Sequence, residues 1–206
     1  MSNMSFLDAV ANRRSNYVLT DKIPISDDRV VELATAAIKN VPSSFNSQSA
    51  RMVVLLNDEH KKFWEITKEV LKPQVPEDKF GATEKKLDGF KAGHGTILFF
   101  EDPKPVKDLQ SAFPLYATHF PQWSEHTSAM HQYMMWCALE AEGCGANLQH
   151  YNPVVDQRAK NEWNIDLEWE LKAQLVFGGN PEGYEKMLPE KSFRPTEGRL
   201  IVHGKL

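Results

Sequence analysis

Two short runs, Arg51 to Leu56 (RMVVLL) and Thr96 to Glu101 (TILFFE), constrain this chain more than anything else in it. Each is nearly continuous in apolar residues, has strand rather than helix length, and lies between stretches of helical periodicity. Alternate side chains of a strand point to opposite faces, so a run of this kind needs cover on both sides. A third strand, Ala173 to Phe177, closes at Gly178 and Gly179. The expected fold is therefore α+β: a few-stranded sheet with helices on both faces, forming one domain over residues 1–206.

The covering helices are legible from caps and periodicity. Ser5 with Asp8 forms a capping box ahead of a first helix whose Phe6, Leu7 and Val10 share an apolar face. Ser26 caps a second, with Val30, Ala34, Ala37, Ile38 and Val41 in register up to Pro42. Asp58 opens a third that points Phe63, Ile66, Thr67, Val70 and Leu71 inward and ends at Pro73 and Pro76. Glu77 to Lys91 reads as an exposed, weakly amphipathic helix. Asp102, Pro103 and Pro105 stop the second strand. The following stretch, with Phe113, Tyr116, Phe120 and Trp123, is too aromatic for a solvated linker. From Thr127 to about Gly143 a long helix is expected to bury Met130, Tyr133, Met134, Cys137 and Ala141. An extended piece, Ala146 to His150, and a helix after Asn152-Pro153 follow. Arg199 to His203 (RLIVH) reads as a strand so distant from the others that it would pair with another subunit's sheet.

Composition excludes several classes. Hydrophobic residues are 41% and charged residues 25% of 206, which disfavours a disordered chain, a fibre or a disulfide scaffold. With 24 Lys and Arg against 28 Asp and Glu, the net charge of −4 argues against nucleic acid or an anionic membrane as partner. No run approaches a membrane span, and the N-terminus lacks an apolar leader core, so the expected location is the cytoplasm. Cys137 and Cys144 read as reduced thiols that a helical seven-residue spacing would set on one face. Nucleophile-elbow, zinc-protease and C-x-x-C patterns are absent, and Gly93-His94-Gly95 precedes a strand, the wrong order for a dinucleotide turn. His119, His126 and His131 are spaced as ordinary helical histidines, and no metal is expected.

Three constellations remain. Arg13-Arg14-Ser15 ends the first helix, where two guanidinium groups and a hydroxyl can hold a phosphate or simply complement the helix dipole. Pro42-Ser43-Ser44-Phe45-Asn46-Ser47-Gln48 carries five small polar side chains suited either to the edge of a heterocycle or to turn chemistry. Lys191-Ser192-Phe193-Arg194-Pro195 brings a second pair of cations far along the chain, or forms an exposed basic turn.

Taken in order, and with Gly145 to Pro153 (GANLQHYNP) and Gly95 to Asp102 added, these segments resemble the FMN-dependent nitroreductases over essentially the whole chain. The resemblance is strongest to the short fungal and bacterial fatty-acid-repression, or oxidoreductase-like, branch. It implies a three-layer α/β/α sandwich with a mainly antiparallel central sheet, in an intertwined homodimer that binds FMN at the subunit interface. It further implies that Arg13, Arg14 and Ser15 meet the phosphate with Lys191 and Arg194 closing around it. Pro42, Ser43, Ser44, Asn46 and Gln48 would come from the second subunit along the flavin ring. Gln149 and His150 would present backbone N–H groups near its N5. Where many members have Lys-x-Arg in the tail, this chain has Phe193 and then Arg194. Lys86 and Lys91 are candidates for the basic residues that larger members take from their middle region. The implied activity is NAD(P)H-dependent, ping-pong reduction of nitroaromatics or related small aromatic electrophiles, with Phe113 and Trp123 either lining the cleft or packing a dimer. The other reading is a flavin-binding regulatory or stress-response protein of slow turnover. Either would explain why no nucleophile, base or metal site stands out, since the cofactor carries the chemistry.

Overall fold

A computed structural model describes residues 4–205. Its centre is a four-stranded sheet of β1 (Ala50–Leu56), β2 (Gly95–Glu101), β3 (Cys144–Gln149) and β4 (Glu170–Gly179), with spatial order β1-β2-β4-β3 and every neighbour antiparallel. Strand parity divides the core in two. Ile97 and Phe99 of β2 face one side, with Leu175 and Phe177 of β4, and are covered by α2 (Asp27–Asn40) and α6 (Phe120–Ala141) through Val30, Ala37, Met135 and Leu139. Leu98 and Phe100 face the other side, under α3 (Asn57–Leu71), α4 (Glu77–Lys91) and α7 (Asp156–Glu162), where Phe63, Trp64, Leu87, Phe90 and Ala159 pack. The layers are helices, sheet, helices, as the apolar strands require.

Local signals explain most of the boundaries. The Ser26 hydroxyl accepts from the Arg29 N–H, with Asp27 and Asp28 in the first turn and Lys39 in the last. Ser5 caps α1 (Phe6–Asn12) in the same way. Gly143, at φ +83, ends the segment after α6, so Cys144 begins a strand and does not share a helix face with Cys137; both thiols are free and buried.

Several expectations change. β1 is an edge strand in which only Leu55 is fully buried. Asp102 caps a helix as well as ending a strand: its side chain accepts from the Lys104 N–H, and Pro103 opens α5 (Pro103–Ala112) from the first-turn position where proline is tolerated. The α6 helix starts at Phe120, seven residues before Thr127. Its sheet-facing line is Ser124, Thr127, Ser128, His131, Met135 and Leu139, while Met130 and Tyr133 are exposed. Helix α6 thus has two usable faces, and the sheet covers the one that is polar in its first turns. Phe6 and Leu7 of α1 are also exposed. Residues 199–203 form no strand among the described residues, and Leu200, Ile201 and Val202 lie open.

Candidate functional site

The first constellation leads straight onto the sheet. Arg13 is the C-cap of α1, its N–H donating to the Ala9 carbonyl. Two residues later the chain bridges to β3, with Ser15 paired to Ala146 and the Asn16 N–H donating to the Ala146 carbonyl at 2.9 Å. The Arg13 guanidinium lies 4.3 Å from the centre of the Trp136 ring, whose buried indole nitrogen has no hydrogen-bond partner.

The tail returns to the same place from 175 or more positions along the chain. Arg14 donates to the Pro189 carbonyl, and the Lys191 ammonium donates to the Ala11 carbonyl at the open end of α1. Together these segments enclose a cleft of about 740 Å³ lined by Arg13, Arg14, Ser15, Tyr17, Lys191 and Phe193. A neighbouring recess of about 580 Å³ adds Glu140 and Asn180. Burial and the charges of Arg13 and Arg14 push the Lys191 ammonium below its ordinary range, with Glu140 opposing. Burial raises the Glu140 carboxyl against the pull of Arg13 and Lys191. Among the described residues the cleft itself is lined by three cations and no carboxylate, with Glu140 and Glu185 in the neighbouring recess, so it holds an excess of positive charge suited to an anion.

Arg194 is exposed and does not line this cleft; its carbonyl accepts from Arg199. Lys86 lies over the Phe90 ring, and Lys91 is engaged by Glu65 and Asp88.

The strand end at Gln149 is tied to the cation loop. The Asn147 side chain donates to the Asn16 carbonyl at 2.7 Å and accepts from the Gln149 amide at 2.8 Å. Gln149 is buried and His150 exposed. Gly145 makes room for this arrangement, since a Cβ there would stand 2.2 Å from Asn180 Oδ1 and 2.8 Å from Asn16 Nδ2. Asn16, Glu140 and Asn180 carried no motif, and Asn147 stood within the segment Gly145 to Pro153 with no role assigned; the alternation Gly145, Asn147, Gln149, which sets small and amide residues on one strand face, is the signal that could have found it.

The second constellation lies elsewhere. Pro42 lines an apolar groove with Met4, Phe6, Val41, Met130 and Tyr133. The Ser43 hydroxyl accepts from the Gln48 N–H at 2.9 Å, and a short 3-10 turn covers Ser44–Asn46. Phe45, Asn46 and Gln48 all take positive φ, a costly conformation for side-chain-bearing residues. The Phe45 ring is held among Phe113, Phe120, Tyr116 and Trp123, with centroids 5.0, 5.2, 6.0 and 6.0 Å away. Beneath the loop, Ser49 and Ser124 donate to the buried Glu101 carboxylate, which burial raises. This loop enters β1, whereas Ser15 sits against β3, the opposite edge and roughly 14 Å away at three strand spacings. Nothing between 42 and 48 lines the cation cleft.

No group of three or more His, Cys, Asp or Glu side chains is placed to hold a metal among the described residues, and no helix there is long and apolar enough to cross a membrane.

Comparison with known proteins bears on this arrangement. Residues 10–179 match the model of the Nitroreductase family. Nitroreductase FRM2 of Saccharomyces cerevisiae is 33% identical over 177 residues, covering 84% of this chain and 87% of that protein. The nitroreductase CinD from Lactococcus lactis, solved in complex with chloramphenicol, is 42% identical with a TM-score of 0.84, over 97% of this chain and 100% of that one. A nitroreductase with bound FMN from Desulfitobacterium hafniense shares the fold at 15% identity, with a TM-score of 0.68 over 98% of this chain and 100% of that one.

Proposed function

The chain belongs to the nitroreductase family, and on that premise we propose that it is an FMN-dependent oxidoreductase acting as a homodimer. The observation that carries this reading is the convergence of Arg13, Arg14 and Lys191, from both ends of the chain, on one cleft beside the Ser15 hydroxyl. The donor set fits a phosphate monoester, because guanidinium and ammonium groups give charge-assisted hydrogen bonds to its oxygens. The cleft volume lies within the usual range for cofactor sites.

Bound FMN would supply two-electron hydride chemistry between a nicotinamide and an oxidised aromatic. The protein's part is to hold and orient. Arg13, Arg14, Ser15 and Lys191 would grip the phosphate, and Arg194, outside the cleft as the chain stands, would have to move to join them. Backbone N–H groups at Gln149 and His150 would hold the reactive end of the ring. Pro42, Ser43, Ser44, Asn46 and Gln48 reach it from a second copy, since this loop stands at the far edge of its own sheet. Uncovered apolar surface at Phe6, Leu7, Leu200, Ile201 and Val202 supports such a copy. NAD(P)H and a small aromatic electrophile would occupy the open side in turn, against the rings gathered around Phe45.

The visible spectrum of purified protein tests the proposal. FMN absorbance that bleaches anaerobically with NADH or NADPH and returns with a nitroaromatic such as 4-nitrophenol is expected. Protein that cannot be loaded with FMN overturns it. Reduction far slower than seconds would favour the flavin-binding regulatory reading.

A further inference from the structure

The loop that carries the cations and the strand end that carries Gln149 are joined by a line of buried amides. Asn147 is fully buried in β3, with its donor engaged by the Asn16 carbonyl and its acceptor by Gln149 Nε2. Asn16 is fixed in turn: its Nδ2 donates to Asn180 Oδ1 at 2.7 Å, and its Oδ1 accepts from the Val18 N–H at 3.0 Å. Asn180 donates to the Gly143 carbonyl at 3.2 Å. The line therefore begins where the chain turns into β3, passes under the segment that walls the cleft, and ends at the strand terminus.

A buried amide is a costly choice for a sheet face that an aliphatic side chain could fill, and its cost is offset only when both ends are paired. What it gives is a single geometry, because breaking either bond leaves a buried polar group unsatisfied. Here that geometry spans the two places a two-ended ligand would touch.

We propose that Asn147 is a positioning residue that sets the span between the anion loop at 13–16 and the strand end at 149–150. A phosphate at one and a ring at the other are then bound together. This rests on the FMN reading. A ligand with two linked ends gains from the linkage only when the sites are held at the matching separation.

The test compares FMN, riboflavin and inorganic phosphate on wild-type protein and on Asn147→Ala, with flavin fluorescence for the first two and competition for the third. FMN binding should weaken about tenfold, while riboflavin and phosphate each change by less than about twofold, because the ends are intact and only their registry is lost. Asn147→Asp, which keeps an acceptor for Gln149 but sets an oxygen against the Asn16 carbonyl, should behave like the alanine variant. Should both fail to fold, Asn16→Ala, which removes the side chain that Asn180 and Val18 hold while keeping the backbone carbonyl, loosens the line at its other end and should weaken FMN more than riboflavin or phosphate. Equal loss of all three ligands, or a lower melting temperature with unchanged FMN affinity, would make Asn147 a structural filler and overturn the proposal. Wild-type protein that binds phosphate but neither flavin removes the cofactor reading and the proposal together. Wild type that binds FMN as tightly as the variants do removes only the role of Asn147.

Discussion

Arg13 caps α1 through its backbone and lies over Trp136 through its side chain, so its guanidinium is aimed before any ligand arrives. Arg13→Ala should weaken FMN retention by about 1.5–3 kcal/mol, the scale of a hydrogen bond to a charged group. Equilibrium dialysis reads this directly, and unchanged affinity would take Arg13 out of the phosphate site. A second residue-scale consequence lies away from the cleft. His60 is fully buried, with Nδ1 against the Thr96 hydroxyl and Nε2 lacking a partner, and burial pushes it from 6.5 to about 4. The folded state therefore favours the neutral ring more than the unfolded chain does. Its contribution is complete above pH 6.5 and is lost as the pH falls from there toward 4. Urea unfolding at pH 7 and pH 4 should differ by roughly 3 kcal/mol from this group. That part of the acid loss should vanish in His60→Gln; if it persists, carboxyls held below their ordinary range, such as Asp27 beside His94 and Asp88 beside Lys68, carry it.

At the scale of elements, β3 shows how much one strand can be asked to do. Its Cys144 and Ala146 face the α2 and α6 core, and its Gly145, Asn147 and Gln149 face the cation loop. Gly145→Ala would drive a methyl group into Asn180, Asn16 and Leu19, so it should destabilise the fold by about 1–3 kcal/mol and loosen FMN as well. Thermal melts and flavin titration of the same variant check both; a neutral melt would mean that the amides have room to retreat. Helix α6 illustrates the converse. Its apolar residues advertised a buried face; Met134 and Cys137 do pack inward, but Met130 and Tyr133 lie open while the sheet takes Ser124, Thr127, Ser128 and His131. Sequence weighting follows hydrophobicity, whereas the sheet accepts whatever is small enough and can bond its own backbone, as Thr127 and His131 do. The prolines after β2 end the strand as expected, but α5 is not among the expected helices, although a proline that stops a strand also suits the first turn of a helix.

For the whole molecule, the two halves of the proposed site lie on opposite edges of one sheet, and only a second copy can bring a loop 42–48 to a cleft at 13–15. Two impaired chains should therefore rescue each other. Arg13→Ala and a Ser43, Ser44 double alanine variant, each weak in FMN binding alone, should regain up to about a quarter of normal sites when coexpressed, as random pairing into twofold dimers predicts. No recovery would mean that cleft and loop serve one chain separately. Sedimentation should give a dimer, and removal of residues 197–206, which carry the exposed Leu200, Ile201 and Val202, should weaken it.

The sequence by itself determined the layered α+β fold and the identity of the three constellations. Apolar runs, caps and the Arg-Arg-Ser, Ser-rich and Lys-rich segments act through local chemistry that periodicity and residue type report. It also determined which residues are cationic. What only the tertiary structure decided is which constellations meet. Sheet order is set by packing between segments far apart in the chain, and no local pattern encodes that β1 and β3 become the outer strands. That order puts Arg14 and Lys191 in one cleft and leaves Ser43 on the far edge. The Asn16, Asn147 and Gln149 line was equally hidden, because three amides scattered over more than 130 residues acquire a shared purpose only when a strand face brings them within hydrogen-bond reach.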